Sequence, residues 1–226
     1  MLSTTEENYL KAIYKSSEVS EKAISTNAIA AQMGTAPASV TDMIKRLAEK
    51  EYIFYQKYYG VTLTEKGLDS AKNLVRKQRL WKVFLVEWLH FTWDEVNELS
   101  EQLEHIQSAE LVNRLDVFLN HPKFDPTGNA IPNTEGIFSE RKQLLINELE
   151  VESGGIVVAV KDESSDFLQY LDKIGLSIGT RIDVLENFSF DLSKKVLFNI
   201  EKEVLLSAKV CENVFVKPLN VRSKIG

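Results

Sequence analysis

Asn27-Ala28-Ile29-Ala30-Ala31-Gln32-Met33-Gly34-Thr35-Ala36-Pro37-Ala38-Ser39-Val40-Thr41-Asp42-Met43-Ile44-Lys45-Arg46-Leu47 holds two helices and the turn between them. Asn27 to Met33 reads as a short helix stopped by Gly34, since glycine takes the left-handed conformation of a helix end without steric cost. Four residues later a second helix is under way. Val40, Met43, Ile44 and Leu47 recur at i, i+3, i+4 and i+7, the spacing of one buried helical face. Thr35 can cap this helix, and Pro37 suits its first turn. Helix, glycine turn, amphipathic helix is the order of a helix-turn-helix. The face turned away from the apolar stripe carries Ala38, Asp42, Lys45 and Arg46, and its small residues near the N-terminus permit close approach to base edges in a major groove.

Reading outward supports that order. Upstream, Thr5 to Lys15 forms a helix with Thr4 or Thr5 as cap, Glu6 and Glu7 in its first turn, and Tyr9, Leu10 and Ile13 apolar. Downstream, Tyr52 to Tyr55 and Val61 to Leu63 are β-rich runs about the turn Gln56-Lys57-Tyr58-Tyr59-Gly60, which reads as a hairpin. A hairpin after the recognition helix makes a winged helix-turn-helix over residues 1–71, with Lys57 and Tyr58 at the wing tip. The DNA-contacting set expected from this placement is Pro37, Ala38, Ser39, Thr41, Asp42 and Lys45, with Lys57 on backbone phosphates. Asp42 would repel phosphates but can accept from a cytosine amino group. The competing reading is a helical packing module that never touches DNA.

Thr64 caps a new helix, and Ala71 to His90 buries a face of Leu74, Trp81, Leu85 and Trp88. Gln78 falls in the middle of that stripe and Lys82 at its edge, and inward polar groups need partners. A helical run from near Asp94 contains Ser100-Glu101-Gln102-Leu103-Glu104-His105-Ile106-Gln107-Ser108. Its apolar stripe is Val96, Leu99, Leu103 and Ile106, while Asn97, Glu101, Glu104, His105 and Ser108 gather opposite. Two carboxylates and an imidazole within one turn can chelate a divalent cation; the plainer alternative is a solvated polar face. Leu111, Leu115, Phe118 and Leu119 continue a third helix. The apolar density of residues 72–139 exceeds what so small a helical unit can bury alone and implies a symmetric dimer. His121 to Pro132 reads as an ordered loop. From residue 140 to 226 the pattern switches to strands at Gly155–Val160, Thr180–Leu185, Val196–Ile200 and Val214–Val216, with a helix at Ser165–Ile174, which suggests a small barrel.

The chain has 226 residues, 44% of them hydrophobic, and Cys211 is its only cysteine. That excludes an internal disulfide and a cysteine-based zinc cluster. The longest apolar run, Val83 to Phe91, is broken by Glu87 and His90 and is too short to span a bilayer. No basic segment followed by an apolar core opens the sequence, so a cytoplasmic location without membrane association is expected. Residues 1–80 contain 12 Lys and Arg against 9 Asp and Glu, while the whole chain is at −6. A mildly basic first domain on an acidic protein suits one polyanion-binding module.

The combination resembles the diphtheria toxin repressor family, which includes the manganese transport regulators. The resemblance covers essentially the whole chain. It is carried by Thr5-Glu6-Glu7-Asn8-Tyr9-Leu10-Lys11-Ala12-Ile13-Tyr14, Pro37-Ala38-Ser39-Val40-Thr41, Leu63-Thr64-Glu65-Lys66-Gly67, Leu103-Glu104-His105 and the Pro122, Pro126, Gly128, Ile131, Pro132 pattern. It implies a mainly α chain with a small β module: winged helix-turn-helix, helical dimerisation domain and C-terminal SH3-like barrel. The function it implies is a homodimeric repressor that binds double-stranded operator DNA when Mn(II) or Fe(II) is bound, not an enzyme.

Carried over by position, the regulatory metal site falls on Asn8, Glu101, Glu104 and His105, oxygen and nitrogen donors that suit Mn(II) or Fe(II). The family's ancillary metal site falls on Gln78, Lys82 and Asn97, with Glu163 and Asp166 from the barrel. None of the three helical residues is a family ligand type. The expectation is that the Lys82 ammonium stands in for that metal and docks the barrel by a salt bridge to Glu163 or Asp166, with Gln78 and Asn97 hydrogen-bonding neighbours. The altered positions also motivate a second reading, a regulator of the same architecture with weakened or lost metal dependence. A metal-dependent hydrolase using Glu104 and His105 would need an open coordination position and a base in a cleft, and the sequence points to neither.

Overall fold

The computed structural model describes residues 2–19 and 22–219. Contacts divide the chain into two units: Met1–Trp81 with Ser100–Phe118 and Pro132–Phe138, and Lys82–Leu99 with Leu119–Ile131 and Ser139–Gly226. Each has its own apolar core.

The first unit opens with α1 (Thr4–Val19). Its cap is Ser3 rather than Thr4 or Thr5. Ser3 Oγ accepts from the Glu6 N–H at 3.3 Å, and the Glu6 carboxylate accepts from the Ser3 N–H at 2.8 Å. This reciprocal pair satisfies two helix-end donors. Glu6 also receives Lys50 Nζ at 2.6 Å, and that ammonium holds its carboxyl below the usual range. Next come α2 (Thr26–Met33), capped by Ser25, and α3 (Pro37–Glu49), separated by Gly34 at φ 60°. Thr35 does not cap α3, whose N-cap is Ala36 without a side-chain bond. Its hydroxyl lies 3.2 Å from Tyr9 Oη instead, tying the turn to α1.

Val40, Ile44 and Leu47 are fully buried against Leu10, Ile13 and Ile29. Truncating any one of them to alanine costs about 2–5 kcal/mol. The wing is β1 (Ile53–Gln56) and β2 (Gly60–Leu63), paired Ile53↔Leu63 through Gln56↔Gly60. Ile24 bridges Val61 as a third short partner, an element the sequence did not reveal. Gly60 is required there: at φ 116° an added Cβ would meet the Ile24 carbonyl oxygen at 2.6 Å. The helices read as separate around Thr64 and Ala71 are one, α4 (Glu65–Glu87), so residue 71 lies inside a continuous helix. Thr64 does cap it, accepting from the Gly67 N–H at 3.0 Å. Then come α5 (Trp93–Leu103) and α6 (Ala109–Phe118). Helix α5 ends before Glu104 and His105, which sit in the turn that follows.

The second unit carries an antiparallel sheet in the order β3-β8-β4-β5-β6-β7. Its strands are β3 (Leu144–Leu145), β4 (Gly154–Val160), β5 (Arg181–Asn187), β6 (Lys194–Phe198), β7 (Lys202–Leu206) and β8 (Val214–Pro218). This is the SH3-like module. Helix α7 (Ser165–Ile174) has the bounds read from sequence and ends at Gly175 in the left-handed conformation. Strands β3 and β7 and the short α8 (Ala208–Cys211) are additions to the sequence reading. Cys211 is completely buried, and burial pushes its thiol up to about 11. The 121–131 segment is the ordered loop expected: Asp125 Oδ1 accepts from the Thr127 N–H, the Thr127 hydroxyl and the Asn129 N–H. Gly128 sits so close to β4 that a Cβ would be 2.0 Å from the Val158 carbonyl oxygen.

Candidate nucleic-acid interface and metal centre

The winged helix-turn-helix turns the expected residues outward. Pro37, Ala38, Ser39, Asp42, Lys45 and Arg46 are exposed on α3. Thr41 is half-buried, its hydroxyl donating to the Pro37 carbonyl at 3.0 Å, so it braces the first turn as well as facing out. At the wing tip Lys57 Nζ stands 5.0 Å from the centre of the Tyr58 ring, and Tyr58 is 91% exposed. A cation and an exposed aromatic at a hairpin tip are groups that can contact phosphate and sugar.

The centre around Glu101–His105 is not a uniformly solvated face. Glu104 is completely buried, His105 is mostly buried and Glu101 is exposed. Two residues of α1 that sequence reasoning missed complete the cluster. His105 Nδ1 lies 2.5 Å from Glu7 Oε2, and Gln107 Nε2 donates to Glu7 Oε1 at 2.9 Å. With Nδ1 turned to Glu7, the other ring nitrogen, Nε2, lies 3.7 Å from Glu104 Oε1. A carboxylate that fixes an imidazole in this way is the usual support of a metal-ligating histidine.

The second missed residue is Lys11. Its Nζ donates to both oxygens of Glu104, at 2.6 and 2.8 Å, and approaches Glu101 Oε1 at 3.4 Å. Burial pushes the Glu104 carboxyl up and Lys11 pulls it back. Lys77, which donates to the Ile106 carbonyl at 3.3 Å, is pushed down by burial while Glu7 and Glu104 oppose that shift. Asn8 is half-buried and, among the described residues, makes no hydrogen bond to this cluster. The donor types of Glu101, Glu104 and His105 fit a hard or borderline divalent ion. As placed here, however, no three His, Cys, Asp or Glu side chains among the described residues are grouped to hold one, and the Lys11 ammonium occupies Glu104.

A second polar cluster belongs to the other unit. Lys82 is buried, and its Nζ lies 2.6 Å from Glu163 Oε2 and 3.9 Å from Asp125 Oδ2. Asn97 Nδ2 donates to the Glu163 carbonyl at 3.0 Å, and Asn129 Nδ2 to Glu163 Oε1 at 2.5 Å. Asp166 is exposed in the first turn of α7; the second carboxylate near Lys82 is Asp125. Gln78 is buried in the first unit.

Comparisons with known proteins bear on all three segments. Residues 1–61 match the family description "Iron dependent repressor, N-terminal DNA binding domain". Residues 64–133 match "Iron dependent repressor, metal binding and dimerisation domain", and residues 144–218 match "FeoA domain". An uncharacterized HTH-type transcriptional regulator of Methanocaldococcus jannaschii is 36% identical over 118 residues, 52% of this chain and 94% of that one. The HTH-type transcriptional regulator MntR of Listeria monocytogenes is 34% identical over 137 residues, 57% of this chain and 92% of that one. A solved structure described as a manganese-dependent transcriptional repressor complex with manganese superposes with a TM-score of 0.82 at 30% identity, covering 95% of this chain and all of that one. No described helix is long and apolar enough to cross a membrane. With its winged helix, helical segment and SH3-like sheet each matched, the chain belongs to the iron- and manganese-dependent family of DNA-binding transcriptional repressors and is not an enzyme.

Proposed function

We propose that this protein is a cytoplasmic, homodimeric repressor of metal-homeostasis genes that binds double-stranded operator DNA in response to Mn(II) or Fe(II). The observation that carries the reading is the pairing of a buried Glu104 and a Glu7-oriented His105 with the helix that begins the DNA-binding segment. When bound, the metal supplies a divalent charge that neutralises clustered carboxylates. The residues do the rest: Glu101, Glu104 and His105 offer oxygen and nitrogen donors, and Glu7 fixes the orientation of the His105 ring. Because Glu7 and Lys11 lie on α1, any change at this centre bears on the helix that packs against α2 and α3. Two recognition helices in a dimer then read two half-sites. Exposed Leu111, Val117 and Phe118 on α6 supply apolar surface suited to a second copy.

The expectation carried over by position puts an ancillary metal of the family at Lys82 and Glu163. Here the ammonium serves in its place as a permanent tie between the end of α4 and the FeoA-type segment, with Asn97 and Asn129 holding Glu163 in position.

The test is a DNA-binding titration on promoters of the host's own metal transporters, with each metal and with chelator. Affinity that rises with Mn(II) or Fe(II) supports the reading. Equal affinity with metal and with chelator overturns it.

A further inference from the structure

The regulatory centre contains a cation of its own. We infer that the Lys11 ammonium and a divalent ion compete for Glu104, so that metal enters this centre by exchange with an internal lysine rather than by filling a vacant cage. The inference rests on the metal-responsive reading above and concerns how that response is set.

The geometry carries the argument. Lys11 Nζ bonds both oxygens of Glu104, so a second cation on that carboxylate would have to share it with the ammonium. The same ammonium is within ion-pair reach of Glu101, the other carboxylate a metal would need. Lys11 and Glu104 are both buried, so water does not compensate either charge if the pair opens. A divalent ion ligated by Glu104 beside an ammonium 2.6 Å away would face like-charge repulsion in a low-dielectric site, and one of the two must leave. Lysine has a flexible four-carbon stem and can leave with its proton. Its exit route is marked by Glu101, 56% exposed and already 3.4 Å from Nζ.

The charge balance points the same way. Glu7, Glu101 and Glu104 face Lys11 and Lys77, which nearly neutralise them before any metal arrives. The lysine therefore does part of the metal's work, tying α1 to the turn after α5. It also raises the metal concentration at which exchange occurs, which makes Lys11 an affinity-determining residue.

The experiment measures Mn(II) binding to the full-length protein from the electron paramagnetic resonance signal of the free aqua ion. Wild type, Lys11→Met and Lys11→Arg are compared. The expected result is Mn(II) affinity about tenfold or more higher in Lys11→Met, because a charged competitor on a buried carboxylate has been removed. Lys11→Arg, which keeps the competing charge, lies far closer to wild type than to Lys11→Met. Equal affinity in Lys11→Met and wild type overturns the exchange while leaving metal-responsive DNA binding standing. No Mn(II) binding by either protein overturns the exchange and the Mn(II) half of that reading. Should Lys11→Met fail to fold, a structure of the wild-type protein with Mn(II) bound decides. Lys11 Nζ displaced from Glu104 supports exchange, and Nζ still bonded to both Glu104 oxygens overturns it.

Discussion

Replacing Lys82 by methionine removes one ammonium while keeping most of the apolar stem, and the structure sets what that should cost. Lys82 is 4% exposed and Asp125 is fully buried, whereas the Glu163 side chain is a third exposed. A charge-assisted hydrogen bond such as Lys82 Nζ to Glu163 Oε2 is worth about 1.5–3 kcal/mol. Orphaning a fully buried charge costs about 3–5 kcal/mol, but water reaching Glu163 reduces that penalty. Asp125 Oδ2 makes no hydrogen bond among the described residues, and Lys82 is 3.9 Å away, so its charge also loses part of its compensation, the remainder coming from Arg141 and the donors on Oδ1. The expected loss is about 2–3 kcal/mol. Urea denaturation at pH 7, followed by circular dichroism, measures it. A double-mutant cycle with Glu163→Gln should return a coupling of about 1–2 kcal/mol. A single-mutant loss well under 1 kcal/mol, with no coupling, would place the pair among screened surface contacts and refute the tie between α4 and the FeoA-type segment.

Other outcomes follow from the same geometry. Lys57→Ala should weaken binding to all DNA sequences alike and reduce the salt slope by about one per wing, because a phosphate contact releases counterions without reading bases. A changed operator preference in that mutant would contradict the role. His105→Ala should abolish metal activation of operator binding while sedimentation still shows a dimer; full metal-dependent binding would sink the metal assignment. Glu6→Gln should cost roughly 0.5–1.5 kcal/mol at neutral pH, since its partner Lys50 is part-exposed. The folded Glu6 carboxyl is held low by Lys50, so its contribution is present above the ordinary carboxylate range and fades as pH falls through the lowered value. A wild-type–mutant gap that widens in acid would reverse that assignment.

Local chemistry made much of this fold legible. Gly34 ends its helix where left-handed backbone was needed, and the Val40–Leu47 stripe is the buried face of α3. Strand β7 was hidden because it is the last strand of the sheet, and its burial pattern lacks the alternation that betrays a half-buried strand. The continuity of α4 was hidden by Gly67, which weakens a helix but here packs an edge against the Tyr52 carbonyl, where a Cβ would come within 1.9 Å. In the regulatory centre Glu101, Glu104 and His105 stood out by spacing, whereas Glu7 and Lys11 did not. An acidic first turn with a lysine four residues on is what a solvated helix face also looks like. What separates the two cases is a contact about 90 residues away in sequence, Lys11 with Glu101 and Glu104, and no local pattern encodes it. Glu7, Lys11 and Tyr14 do share one face of α1, and all three are buried. That face was the one available signal.

Cys211 lies at the end of α8, fully enclosed, and its thiol ionises only near 11. The thiolate is the form that reacts with alkylating reagents, and an enclosed thiol presents almost none of it at neutral pH. Since the chain has no other cysteine, labelling by a maleimide counts openings of the sheet unit and nothing else. The protein therefore carries its own clock for the exposure of one module. The labelling rate, read with and without metal or operator, would report whether events at the winged helix reach the far end of the chain.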